Sequence, residues 1–182
     1  PAAQAAGQAA AVGERKVLVD LDLRPTGLAW HPDGSRLVFI ADSDWRDELK
    51  YESPDLWTVT VDGKLTRLTD DGYVYSDASF SPDGKYLSYV RDPGTDLIIQ
   101  QKLNHGGPSD LYIRPTAGGP PSLTTTPAGS YGEAGAINLT PNWDLEPRPT
   151  KRSPDGRLIH FPAGIGGEGH PFCVSGSRRR VQ

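Results

Sequence analysis

Phe80–Val90, FSPDGKYLSYV, is a Pro-Asp-Gly turn followed by alternating apolar residues, and its reading decides the fold. The phrase recurs as WHPDGSRLVFI at Trp30–Ile40 and as RSPDGRLIHFP at Arg152–Pro162. When the turn glycines Gly34, Gly84 and Gly156 are aligned, Leu37, Leu87 and Ile159 fall at one offset. Phe39, Tyr89 and Phe161 fall two positions later. Alternation at that period predicts a strand with one buried face. Pro presets φ, Asp bonds back to the backbone and Gly takes positive φ, so each phrase predicts a strand, a tight turn and a returning strand.

The copies extend past the hairpin. Asp55–Thr69, DLWTVTVDGKLTRLT, predicts a third strand, an Asp-Gly turn and a short fourth strand. Asp110–Thr124, DLYIRPTAGGPPSLT, repeats it and places the second unit's fourth strand at Leu123-Thr124. His170–Gln182 begins the third copy, whose fourth strand is expected around Val181.

The interval from Gly34 to Gly84 is close to the ~40–50 residues of one propeller blade. The longer interval to Gly156 implies an inserted loop at about 125–145. The predicted fold is therefore all-β, an incomplete β-propeller of about three four-stranded antiparallel blades. Their approximate bounds are 24–72, 73–127 and 140–182, within a domain covering 15–182. A β-sandwich is the alternative, but three hairpins in register, each followed by the same strand and turn, favour the propeller. Arg15–Leu23, RKVLVDLDL, is read as the outer strand of an earlier blade. Closed propellers need about four to eight blades, because each buries its faces only against its neighbours. The end blades are therefore expected to expose strand faces and to promote self-association.

Composition agrees with this reading. Gly 21 and Pro 17 mean many turns, and 36% apolar residues are enough to build a core. The net charge of −4 argues against nucleic acid, and Arg178-Arg179-Arg180 reads as a solvated tail. Cys173 is the sole cysteine, which excludes an internal disulfide and a cysteine-based zinc site. No apolar run approaches the ~18 residues of a membrane span. Residues 1–14 are Ala/Gln-rich and are expected to be a disordered linker or the stub left by a removed signal peptide. The second origin favours a periplasmic or secreted location over the cytoplasm.

Few residues invite chemistry. Ser130 in AGSYGE approaches the G-x-S-x-G nucleophile elbow, but Ala128 stands where Gly relieves crowding, and Pro127 breaks the preceding segment. Asp144 or Asp155 followed by His170 mimics the order of a Ser…Asp…His triad, which chains of this length also offer by chance. His105, His160 and His170 lack metal-ligand spacing, and His160 reads as pointing off the outer face of a strand. Asp42–Glu48 gathers carboxylates without the Gly turn of a calcium loop. Lys102 and His105 lie in the most polar long loop, KLNHGGPSD, where turn chemistry is the simpler account. No catalytic, cofactor-binding or metal-binding residue is assigned, and the chain alone is expected to be non-catalytic.

The phrase SPDGKYLSYV…DLYIRPTAGG…SLT resembles the repeat of TolB-type β-propellers, from about Leu28 to the C-terminus. DWRDELKYESPDLWTVTVDGKLTRLT, GTDLIIQQKLNHGGPSDLYIRP and NLTPNWDLEP…SPDGRLIHFPAGIGGEGHPFCV further resemble the N-terminal propeller of bacterial serine peptidases of the prolyl oligopeptidase family. That resemblance implies a propeller that gates and docks peptide substrate for a separate α/β-hydrolase domain, which is not in this chain. The alternative it leaves open is a TolB-type binding module, in the cell envelope or ahead of an amidohydrolase domain. Arg152 departs from the pattern, which has an aromatic at its position.

Overall fold

The computed structural model describes residues 13, 16–116, 123–125, 131–133, 135–141 and 143–176. They form a fan of antiparallel sheets. The first sheet runs in order β1 (Thr26–Trp30), β2 (Arg36–Ala41), β3 (Asp55–Thr60), β4 (Leu65–Arg67). The second contains β5 (Tyr73–Phe80), β6 (Tyr86–Pro93) and β7 (Asp110–Pro115). A hairpin of β8 (Leu123–Thr125) and β9 (Tyr131–Glu133) follows, and β10 (Ile137–Asn138) then completes the second sheet beside β7. The third sheet shows β11 (Lys151–Arg152), β12 (Leu158–Ile165) and β13 (Glu168–Ser175). Its expected fourth strand around Val181 lies outside the described residues.

Each sheet starts with the Pro-Asp-Gly hairpin that the sequence announces. Gly34, Gly84 and Gly156 take φ of 73°, 70° and 73°, and their N–H groups donate to His31, Ser81 and Ser153 carbonyls at 2.8–2.9 Å. The turn carboxylates accept the backbone N–H two residues on, at 2.9 Å for Ser35, 3.1 Å for Lys85 and 3.0 Å for Arg157. The turns also interlock between sheets. The His31 Nε2–H donates to the Gly84 carbonyl at 3.1 Å, and a Cβ on Gly84 would lie 2.6 Å from that ring.

The outer strand of the second sheet corrects the sequence reading. Leu123-Thr124, the expected fourth strand, belongs to the separate β8–β9 hairpin, and β10 takes the place beside β7. The reason lies in a repeated bracket. In the first sheet the Thr69 hydroxyl accepts the Leu56 N–H at 3.0 Å and donates to the buried Asp55 carboxylate at 2.7 Å. In the second, Thr140 accepts the Leu111 N–H at 2.9 Å and donates to Asp110 at 3.0 Å. The Leu68 and Leu139 N–H groups close both brackets on Leu56 and Leu111 carbonyls, at 2.7 and 2.8 Å. The structural repeat is thus Asp-Leu…Leu-Thr, and of the two Leu-Thr pairs after β7 it is Leu139-Thr140 that completes it.

Alternate residues of the strands fill the layers between sheets. Val38, Ile40 and Leu56 of the first sheet meet Tyr75, Phe80, Leu87 and Tyr89 of the second. Val90 and Leu111 of the second meet Ile159 and Phe161 of the third, with Trp143 alongside. Burying each such side chain stabilises the fold by roughly 1.5–3 kcal/mol.

One further expectation is corrected. Residues 16–25 form no strand; Leu18, Val19 and Leu23 pack on the free face of the first sheet, anchored by Lys16 Nζ donating to the Val61 carbonyl at 2.8 Å. A strand needs a backbone partner, and none is supplied there among the described residues. Between β6 and β7, ahead of the polar loop, Thr95–Gln101 forms a short helix, α1, closed by Lys102 in the left-handed conformation at φ 52°. Its Leu97, Ile98 and Ile99 look like strand residues in isolation, but Asp96 favours the positive end of the helix.

Candidate functional site

The alternation of hairpins assigns the turns and loops among the described residues to the two ends of the fan. The Pro-Asp-Gly turns and the Asp62-Gly63 turn share one end; the long loops 42–54 and 94–109 and the inter-sheet connections 70–72 and 141–149 share the other. Loops at strand ends are where binding groups concentrate.

At the loop end a cleft of about 490 Å³ opens between residues 104–109 and 143–146, beside Asp92 at the end of β6. The chain enters it through a tight passage. Gly107 has φ 77°, and a Cβ there would lie 2.8 Å from Pro93 Cγ and 3.0 Å from Leu103 Cδ1, so only glycine fits. The other wall is fixed by Trp143, whose ring stands edge-on to Phe161 and Phe172 with centroids 5.8 and 4.9 Å away. That packing uses the apolar part of the indole.

Ser109 and Trp143 line the cleft, and each carries a buried donor without a hydrogen-bond partner, Ser109 Oγ and Trp143 Nε1, Ser109 being only 8% exposed. Buried donors are normally paired, so an unpaired couple in the walls of one cleft marks it as a candidate binding site. Carboxylates stand around them. Asp92 forms a two-pronged pair with Arg148, both N···O distances being 3.2 Å, and Glu146 lies 3.6 Å from the same guanidinium. Asp144 lines the cleft and is exposed. The site therefore has buried N–H and O–H donors in its walls and carboxylates at its rim, of which Asp92 and Glu146 share Arg148.

The strand ends behind the cleft are rigid. The Arg91 guanidinium lies between Tyr73 and Tyr112, 3.9 and 4.4 Å from their ring centroids, and donates to the Tyr112 hydroxyl at 3.3 Å. The Tyr75 hydroxyl donates to Asp71 at 2.8 Å, and burial pushes its phenol well above the ordinary range. Burial likewise raises the Asp110 carboxyl, against hydrogen bonds from Thr140 and Asn138. These groups brace the framework.

The residues singled out in the sequence fare differently. Ser130 lies outside the described residues. Asp155 is held in the third Pro-Asp-Gly turn by Ser153 and Arg157, at the opposite end from Asp144. His170 is exposed on β13, where its contact is with Glu168 at 3.9 Å and not with Asp144. His160 is exposed on β12, across from Cys173 on β13. The Asp42–Glu48 carboxylates mostly serve their own loop: Asp42 accepts the Asp44 and Ser53 N–H groups and Asp44 pairs with Lys50 at 2.7 Å. No group of three or more His, Cys, Asp or Glu is placed to hold a metal among the described residues. Lys102 is exposed after α1, and His105 lies in the 3-10 turn Asn104–Gly106. Of that loop, KLNHGGPSD, it is Ser109 that lines the cleft as a buried donor, with Trp143 opposite; neither carried a motif. Arg152, in place of the expected aromatic, is half-buried and donates from Nη1 to the Gly176 carbonyl at 2.8 Å.

No protein-family model and no curated protein sequence matches the chain. Solved structures do. TolB from Acinetobacter baumannii superposes with a TM-score of 0.53 at 18% identity, over 90% of this chain and 33% of that one. A puromycin-hydrolyzing peptidase of Mycobacterium tuberculosis gives 0.54 at 12% identity, over 84% of this chain and 20% of that one. A puromycin hydrolase bound to PGG gives 0.50 at 20% identity, over 85% and 21%. The chain thus spans about a third of that TolB and a fifth of each peptidase. These likenesses show the fold: unclosed blades of a TolB-type β-propeller, an architecture found also in the propeller portions of peptidases.

Proposed function

We propose that this chain is the substrate-gating and docking propeller portion of a prolyl-oligopeptidase-family serine peptidase, with the chemistry carried by a separate α/β-hydrolase domain. One observation carries the reading. The loop-end cleft joins two unpaired donors, Ser109 Oγ and Trp143 Nε1, to a carboxylate rim of Asp144 and Glu146. A peptide's terminal ammonium and first carbonyl complement that set, the carbonyl accepting and the ammonium donating. Gating follows from geometry: a cap limits which chains reach a nucleophile and keeps bulk water away.

The test titrates the chain with a tripeptide bearing a free amino end, and with its acetylated form, followed by calorimetry. Saturable binding of the free form, weakened by acetylation and by Glu146→Gln, supports the proposal. Equal binding of both forms, or none, contradicts it. A second reading, a TolB-type binding module, draws on the equal likeness to TolB. The coding sequence beyond Gln182 separates the two: a G-x-S-x-G elbow supports the peptidase, and a His-x-His metal-hydrolase motif or a stop codon supports the module.

The remaining proposals concern location and assembly. No helix among the described residues is long and apolar enough to cross a membrane. A periplasmic or secreted location rests on the Ala/Gln-rich opening. Self-association rests on the free flank of the first sheet, where Leu21 and Leu28 are each 62% exposed along an apolar cleft. Sedimentation across a concentration series tests it: a rising mean mass is expected, and a constant monomer mass refutes it.

A further inference from the structure

The turn end of the layer between the first and second sheets holds a second cleft, of about 320 Å³, with the opposite chemistry to the loop-end site. Arg36 and Lys64 come to it from the first sheet and Arg114 from the second, joined by the hydroxyl residues Thr58, Thr66 and Thr116. No carboxylate lines it among the described residues. The nearby turn aspartates are engaged at home: Asp83 with Ser81 and Lys85, Asp62 with the Thr60 hydroxyl. Arg36 Nε is buried and has no acceptor. A buried guanidinium N–H without an acceptor is rare in a folded protein, because it gives up water without gaining a partner.

The repeat shows that this chemistry is not required by the blade. At the corresponding positions of the next layer, Arg36, Thr58, Thr66 and Arg114 are matched by Tyr86, Ile113, Ile137 and Val174. At its turn end that layer keeps one half-buried guanidinium, Arg152, which donates to the Gly176 carbonyl, while Val174 packs against the core. The convergence of Arg36, Lys64 and Arg114 is therefore particular to the first layer.

We propose that this cleft binds a phosphate monoester. Guanidinium groups match the oxygens of a phosphate, and the ammonium and hydroxyl groups add further donors to a tetrahedral dianion. The phosphate occupies the cationic mouth, and its organic substituent lies against Leu68, Phe80 and Leu87. This site is at the opposite end of the sheets from the peptide cleft and does not depend on it.

Calorimetric titration of the whole chain with glycerol phosphate, inorganic phosphate and glycerol tests the assignment. Glycerol phosphate should bind saturably, inorganic phosphate should compete with it more weakly, and glycerol should not bind. Affinity should fall about tenfold in Arg36→Gln, which loses a charged hydrogen-bond donor, and should strengthen as pH rises past about 6, where the phosphate becomes a dianion. Lys64→Gln changes an exposed side chain, so a smaller loss of affinity in that variant cannot be attributed to misfolding. Absence of saturable binding, binding of inorganic phosphate alone, or unchanged affinity in both variants would overturn the proposal.

Discussion

The layer between the first and second sheets and the layer between the second and third occupy equivalent places in the repeat, yet they are finished differently. Both are centred on the same leucine, Leu56 in one and Leu111 in the other, each fully buried and each bracketed by an Asp and a Thr. Away from that centre they diverge. The first layer ends at the turn face in Arg36, Lys64 and Arg114, whereas the second is sealed there by Ile and Val and by Arg152 donating to backbone carbonyls. At the loop face the polarity reverses, and the second layer opens into the acidic cleft beside Trp143. The bracket and the leucine build a blade; the ends of the layer are free to acquire binding chemistry.

The largest expected effect tests whether the two centres are equivalent. Leu56→Ala and Leu111→Ala should each destabilise the chain by about 2–5 kcal/mol in denaturant melts, with similar values. A small loss at either position would break the equivalence. The turn interlock comes next. Gly34→Ala, at φ 73° with nothing within 4 Å of its Cβ, should cost about 1–2 kcal/mol for the backbone alone. Gly84→Ala adds a clash with the His31 ring and should cost a further 1–3 kcal/mol or so.

A pH experiment probes the brackets. Burial raises the Asp55 carboxyl from 3.8 to about 6, against the opposing hydrogen bonds from Arg67 and Thr69. The folded state thus holds a proton that the unfolded state releases, so stability falls as pH rises from about 4 to about 6, by on the order of 2–3 kcal/mol. Asp110 shifts in the same direction and adds to the slope. Asp55→Asn should flatten it, and an unchanged slope in that variant would show that the bracket is not its source. The smallest effect is expected from the hydroxyls. Thr69→Val and Thr140→Val should each cost about 1–2 kcal/mol, since each leaves a buried leucine N–H unpaired.

Much of this was legible in the sequence because the repeated residues act locally. Pro, Asp and Gly set each hairpin by their own backbone preferences, and the alternating Leu37/Phe39 and Leu87/Tyr89 positions declare a buried face. The fourth strand of the second sheet was misplaced because Leu123-Thr124 and Leu139-Thr140 are the same dipeptide. Only the long-range bond from Thr140 to Asp110 chooses between them. Helix α1 was hidden by its run of Leu and Ile. Ser109, Trp143 and Arg36 gave no signal, since each belongs to its site only through neighbours far away in the chain.

The central claim is that one bracket, written twice, builds consecutive blades with β10 as the outer strand of the second. Hydrogen exchange followed residue by residue tests it most directly, because protection reports which amides are held in the core. The amides of Leu56 and Leu68, and those of Leu111 and Leu139, should exchange slowly and at comparable rates. Rapid exchange at Leu111 and Leu139, with slow exchange at Leu123 instead, would contradict it.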